Sequence, residues 1–364
     1  MVITKNLGDF SVGSGWYVLL QEIEAAGFYV NLDLSAAAMT GTEFNPIPAI
    51  STGKNRIVSI ILPNDALSIP DPVNGDPNAR PFIHFDNLQS VSGANITTIG
   101  EWAFAIRTNL TSVNLPAATT IGMNAFAGTT GLTSLNFPAA TNIEFGAFQS
   151  SGLISITFPA SVNLADTAFM GTRSLNSFTL TGSGSLSVTQ NGRVLVRNNT
   201  ELAFYPSASG NITMENITSI GNHAFNGTNI TSANFPAVTH IGDAAFWHTP
   251  NLTSVSFPIA TTMGHSAFGM TNLKSVSFPM ITDIGLNAFW DISSLTSVSF
   301  PMITNIGRHA FANSNNIEEI TIAANVTFYV EQDSARIYDF ITHYNSQGQA
   351  AGTYTFVSGA WTGP

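Results

Sequence analysis

The stretch Leu295-Thr-Ser-Val-Ser-Phe-Pro-Met-Ile-Thr-Asn-Ile-Gly-Arg-His-Ala-Phe311 decides the fold, because the same frame returns along most of the chain. Its Ala-Phe pair recurs at Ala103-Phe104, Ala125-Phe126, Ala147-Phe148, Ala168-Phe169, Ala224-Phe225, Ala245-Phe246, Ala267-Phe268, Ala288-Phe289 and Ala310-Phe311. Gaps between successive pairs are 22, 22, 21, 56, 21, 22, 21 and 22 residues. So strict a period describes one small supersecondary unit stacked many times. No such unit can bury its apolar face without neighbours on both sides.

Within a unit, Leu-x-Ser-Val-x-Phe-Pro alternates as a short strand does, with Val and Phe inward and Ser and Ser/Asn/Thr outward. Proline cannot donate to a ladder, so Pro116, Pro138, Pro159, Pro236, Pro258, Pro279 and Pro301 end the strand at a fixed point. The Ile-Gly pair (Ile121-Gly122, Ile241-Gly242, Ile284-Gly285) is expected to supply an inward side chain and then a turn residue tolerant of positive φ. Ala-Phe closes the coil, the small residue allowing close approach and the ring filling the interior. The expected fold is an α/β-type repeat solenoid dominated by short parallel strands.

The ends of the chain leave the frame. Trp16 to Gly27 places Leu19, Leu20, Ile23 and Ala26 on one side at helical spacing, with Gly27 as a stop. Phe28 to Leu34 alternates as a strand, and helix plus strand read as an N-terminal cap over the first open coil. Ile57 to Pro63 is a degenerate unit, and residues 70–81, with Pro70, Pro72, Gly75, Pro77 and Pro81, form an irregular loop. The long gap holds an insertion at about residues 182–215, in which Val194 to Pro206 reads as a hairpin turning at Asn198-Asn199. It is expected to be a tolerated coil extension. Ala335 to Tyr344 is expected to be a helix and Gly352 to Val357 a strand, forming a C-terminal cap. The domain reading is a cap over 1–56, a solenoid over 57–322 and a cap over 323–364.

Composition narrows the function. Charged residues make up 9% of the 364 positions, against roughly 25% in ordinary soluble domains. Hydroxyls and amides therefore carry solubility. The net charge of −11, with scattered Lys and Arg, argues against a nucleic-acid partner. Cysteine is absent, which removes disulfides and thiolate metal sites. No apolar run reaches the roughly 18 residues a membrane span needs. The N-terminal Met-Val-Ile-Thr-Lys-Asn resembles neither a secretory nor a lipoprotein signal, so an export signal is absent from this sequence.

The frame resembles the BspA-like, or Treponema pallidum-type, leucine-rich repeats. Their pattern of Leu-x-x-Ile-x-Leu-Pro, Val-Thr-x-Ile-Gly and Ala-Phe is met by Leu295 to Pro301, Ile303 to Gly307 and Ala310-Phe311. The resemblance covers roughly residues 28–322 and includes the Tyr205-Pro206 hairpin. Two features depart from it: the Cys that commonly follows Ala-Phe is missing, and Phe often stands before Pro. The resemblance implies a right-handed leucine-rich-repeat superhelix. It also implies a bacterial or protist cell-surface or extracellular protein that adheres to host matrix proteins or cells and shares no catalytic residues with its relatives.

Candidate sites follow from what faces outward. A serine column that includes Ser254, Ser275 and Ser297 offers hydroxyls to a glycan or a polar protein partner; equally, small residues suit the crowded face of a curved sheet. Trp247 and Trp290 directly follow Ala-Phe two coils apart, with Gly269 between, and are expected about 10 Å apart on one edge. With His248 and Met270 they make a candidate protein-binding patch, or each ring folds over its neighbour's turn as local packing. Asp243 and His265 share one column, and His240 and Asp283 another, but pairs do not make a metal site. No nucleophile elbow, phosphate loop or HExxH occurs. The expectation is a non-enzymatic binder of protein or glycan with no cofactor and no metal; the alternative is a structural spacer.

Overall fold

The structure, a computed structural model, describes residues 1–47, 52–76, 79–329 and 335–364. Pro77 of the expected loop lies outside the described residues. The chain forms two compact units, Met1–Arg193 and Val194–Pro364.

The first unit opens with helix α1 (Gly15–Ala26). Ser14 Oγ accepts the Tyr17 N–H at 3.3 Å, and Gly27 ends the helix at φ +73°. Trp16, Leu19, Leu20 and Ile23 are buried. Ala26, expected on the same side, is exposed in the last turn beside the Gly27 cap. Strand Val30–Asp33 pairs in parallel with Ile57–Ile61, so the cap continues the sheet that the repeats build. Ser90–Ser92 and Ser112–Asn114 extend it. A second ladder carries the inward Ile of each coil, running through Ser68–Ile69, Thr98–Ile99, Thr120–Ile121, Asn142–Ile143 and Asn163–Leu164.

The second unit begins at the hairpin. Val194–Arg197 and Glu201–Phe204 pair antiparallel with Arg197 opposite Glu201, and of the three connecting residues Asn198 and Asn199 both adopt positive φ, 51° and 65°, as the turn at these asparagines requires. Leu202 pairs in parallel with Ile220, so the hairpin is the first rung of this unit's inner ladder. Val194, Val196 and Leu202 lie in its core, so the hairpin is packed structure and not a projecting finger. The ladder continues through His240–Ile241, Thr262–Met263, Asp283–Ile284, Asn305–Ile306 and Thr327–Phe328. At the C-terminal end Gly352–Val357 pairs antiparallel with Glu319–Ile322, which stops the parallel stack. Helix α2 (Ala335–Ser346) contributes Tyr344, whose hydroxyl donates to Ala323 O at 2.8 Å and accepts the Val326 N–H at 3.1 Å.

The inward set is as the frame requires: Leu295, Val298, Phe300, Ile306, Ala310 and Phe311 are all buried. Ile303, after Pro301-Met302, is a further inward group that the alternation did not mark. Phenylalanines stack from coil to coil. Phe246, Phe268, Phe289 and Phe311 lie face to face with centroids 5.0, 5.7 and 5.5 Å apart and planes within 6° of parallel. After the ring, Thr129, Thr228 and Thr249 are buried and donate to the carbonyls of Phe126, Phe225 and Phe246, closing the turn from inside.

The Ile-Gly glycines are not there for positive φ. Gly122, Gly242 and Gly285 keep ordinary backbone angles, and the left-handed residues stand two positions later, at Asn124, Ala244 and Asn287. Crowding dictates the glycine instead. A Cβ on Gly285 would lie 2.5 Å from the Gly264 carbonyl carbon, and one on Gly242 2.8 Å from that of Gly221. Gly285→Ala is therefore expected to lower unfolding free energy by about 1–3 kcal/mol, measured by urea denaturation; an unchanged midpoint would contradict the crowding argument.

Lys54 is more deeply buried than the other buried cations, Arg80 and Arg107, at 1% exposed, and burial pushes its ammonium down to about 8. The unfolded chain holds that proton up to the ordinary value of 10.5. Above about pH 8 the unfolded state thus binds more protons, and stability rises with pH. From pH 7.5 to 9.5 the gain is expected to be about 2 kcal/mol. Lys54→Met should flatten this part of the profile in denaturant titrations; a rise that survives the substitution would assign it to other groups.

Candidate functional site

Each coil presents its outward residues at a few fixed places, and the chemistry of the second unit concentrates there. The residue after the coil-closing Phe is such a place. Trp247, Gly269 and Trp290 occupy it in three successive coils, held by backbone bonds from Trp247 N to Ala244 O and from Trp290 N to Asn287 O, both 3.0 Å. The two indoles are not about 10 Å apart as coil spacing alone predicts. They stack with centroids at 5.5 Å and planes 12° apart. Gly269 permits this, since a Cβ there would lie 2.3 Å from Trp247 Cζ3. Trp247 leans across the bare backbone of the intervening coil, and both rings remain half-buried. His248 and Met270 follow in the left-handed position, at φ 55° and 56°. The His248 N–H donates to Gly269 O and that of Met270 to Trp290 O, so all four residues share one edge.

The serine column faces solvent. Ser254 and Ser275 are exposed; Ser297 is half-buried, its Oγ donating to Glu319 Oε1 at 3.0 Å. The column is not continuous in pairing. Ser254–Ser256 ends one sheet and Ser275–Ser277 starts another. In the first unit the same interruption separates Ser112–Asn114 from Ser134–Asn136, and a hollow of about 380 Å³ lies there among Ser112, Ser134, Asn136 and Ser155. The inward valines of the interrupted strands, Val113 and Val255, are partly uncovered, unlike Val276 and Val298.

A second edge escaped sequence reasoning. Ile259, Met280 and Met302 directly follow Pro258, Pro279 and Pro301 and are 44%, 46% and 53% exposed. Three consecutive coils thus display an apolar row at the end of the strand where the first unit has Ala117 and Ala139. The signal was present as a change from Ala to Ile and Met after the strand-ending proline. It carried no weight because that position had not been separated from the buried one that follows it.

The titratable columns support structure. Asp243 Oδ1 accepts the His265 N–H at 2.7 Å, His265 Nδ1 accepts the Leu286 N–H at 2.9 Å, and His240 Nδ1 contacts Thr262 Oγ1 at 2.6 Å. Side chains of one coil thereby satisfy backbone donors of the next. Among the described residues no three His, Cys, Asp or Glu side chains converge as a metal would need.

Short parallel strands repeating about an aromatic interior define a leucine-rich-repeat solenoid. The chain belongs to the BspA type leucine-rich repeat family: the family model matches six copies over residues 79–191 and 218–333, more than half of the chain. Solved structures share the fold. A leucine-rich repeat protein from Eubacterium ventriosum is 21% identical, with a TM-score of 0.54 over 74% of this chain and 90% of its own. The pneumococcal vaccine antigen PcpA is 18% identical, with a TM-score of 0.51 over 79% of this chain and 76% of its own. No protein of curated function matches the chain by sequence. Leucine-rich-repeat domains generally bind proteins, and the solenoid is typically non-catalytic. Among the described residues no helix is long and apolar enough to cross a membrane.

The indole stack gives a direct handle. Gly269→Ala should part the rings, removing the coupled-indole signal from the near-ultraviolet circular dichroism and costing about 1 kcal/mol of stability. Trp290→Phe should remove the same signal. A couplet that survives either change would place its origin elsewhere.

Proposed function

We propose that this protein is a non-enzymatic adhesive scaffold, displayed at the cell surface or secreted, that binds a protein partner such as a host matrix or cell-surface protein. The observation that carries the reading is the apolar row Ile259, Met280 and Met302. The interior does not need these side chains, the position holds Ala in other coils, and they stand exposed in consecutive coils. Contiguous exposed apolar side chains mark protein contacts, and Met adapts its shape to a partner. In chain order the row stands at one end of the outward strands, and the edge of Trp247, His248, Met270 and Trp290 stands at the other. Between them Ser254, Ser275 and Ser297 give a polar, sterically flat face. Two apolar margins around a hydroxyl surface suit a protein partner better than a uniform spacer.

The test is attachment of the purified chain to immobilised matrix proteins and to host cells. Replacing Ile259, Met280 and Met302 together by Ser should weaken attachment at least about tenfold, as expected for removal of interface anchors. Trp247→Ala with Trp290→Ala should weaken it less, because much of each ring's contact is with the other. Attachment indifferent to both sets, or no attachment at all, favours the spacer.

A further inference from the structure

The second unit carries a groove that the repeat frame does not require. Thr262, Asp283, Asn305 and Thr327 are paired rung by rung and form one outward column. His265, Leu286 and Arg308, three positions beyond Thr262, Asp283 and Asn305, form a second. Between the columns run Gly264, Gly285 and Gly307, and Tyr329 ends the row. The floor is bare backbone at these glycines, where the preceding coil crowds the Cβ position: a Cβ on Gly307 would lie 2.7 Å from the Gly285 carbonyl carbon. A hollow of about 430 Å³ results, lined among the described residues by His265, Asp283, Leu286, Asn305, Arg308 and Tyr329. The first unit shows that the groove is not inherent in the repeat. There Gly100 and Gly122 are buried, and Glu144 takes the next glycine position, its Oε2 accepting the Met123 N–H at 3.1 Å.

The groups around the hollow are oriented before any ligand arrives. Asp283 Oδ1 accepts from Asn305 Nδ2 at 2.7 Å and Oδ2 from the Thr282 hydroxyl at 2.8 Å, leaving each oxygen a further lone pair. His265 uses Nδ1 to accept the Leu286 N–H, so its proton sits on Nε2 as a donor. Tyr329 presents a ring that is 55% exposed at the end of the row. The backbone has no free edge for a peptide strand, since the N–H groups of Gly285, Gly307 and Tyr329 already bond to Met263, Ile284 and Ile306.

We propose that this groove binds a neutral saccharide chain, one ring stacked on Tyr329 and the hydroxyls of the next shared between Asp283 and His265 Nε2. Fixed acceptors and donors beside an aromatic face match a hydroxyl-rich ring that is apolar on its flat side. The carboxylate of Asp283 and the guanidinium of Arg308 both border the hollow, so it carries no one-sided charge that would select an acidic or a basic sugar. Coils repeating at about 4.8 Å set successive polar groups roughly one sugar ring apart. This site is independent of the apolar margins assigned to the protein partner.

The test is calorimetric titration of the full chain with tetrasaccharides of β-linked glucose, galactose, mannose and N-acetylglucosamine, alongside an oligoglutamate and an oligoserine peptide. At least one tetrasaccharide should bind. Tyr329→Ala and Asp283→Asn, both at exposed positions, should each weaken that binding roughly tenfold with unchanged thermal unfolding. The variant lacking Ile259, Met280 and Met302 should retain it. Absence of binding by all four sugars, sugar binding untouched by both groove variants, or preference for a peptide would overturn the proposal.

Discussion

The constraint on which everything else rests is the distance between neighbouring coils. Parallel strands fix it near 4.8 Å, and that spacing also suits flat aromatic rings lying face to face. Phe246, Phe268, Phe289 and Phe311 meet at 5.0 to 5.7 Å with nearly parallel planes, so backbone pairing and side-chain stacking are satisfied by one geometry. At Gly242, Gly264, Gly285 and Gly307 an added Cβ would meet the preceding coil at 2.4 to 2.7 Å, although Glu144 and Tyr329 hold the same position in other coils. Coil spacing thus favours Phe inside, and Gly at those corners where the preceding coil also crowds the Cβ position.

Stacking of this kind is cooperative between neighbours and leaves open ends, which both termini close with different chemistry. At the N-terminal end Phe10, Trp16 and Phe44 continue the aromatic column edge to face, at 5.1 to 6.0 Å. At the other end Phe340, Tyr344, Tyr354 and Trp361 pack in T-shaped and stacked pairs. Rings turned on edge end a stack, because they offer the next coil no parallel face. Antiparallel pairing of Gly352–Val357 does the same for the sheet.

Periodicity made the interior legible. Leu295, Val298, Phe300, Ile306, Ala310 and Phe311 could be placed inward from spacing alone, and the Asn198-Asn199 turn from its residue types. Three things were not legible, each because it depends on relations between coils. Gly285 reads as a turn residue along the chain, but its reason is the carbonyl of Gly264 in the coil before. The indole separation was misjudged because Gly269 matters through what it leaves vacant. The row Ile259, Met280 and Met302 was invisible while the residue after proline was not separated from its buried neighbour. A repeat frame tells which positions point in, whereas contacts across coils decide which of the others are available.

Variation in the outward positions is therefore where function has room to reside, and the two units differ there. After the strand-ending proline the first unit has Ala117, Ala139 and Ala160, and the second changes from Ala237 to Ile259, Met280 and Met302. At the glycine corner the first unit inserts Glu144, which uses its carboxylate to bond a backbone N–H. The second keeps Gly264, Gly285 and Gly307, leaving Asp283 and His265 on either side of open backbone. Ile259, Met280 and Met302 are exposed and stand outside the aromatic stack, whereas His265 and Asp283 also bond the neighbouring coil through the Leu286 N–H and Asn305 Nδ2. Exposed apolar side chains and oriented polar groups that differ from coil to coil are the parts of such a surface a ligand would meet.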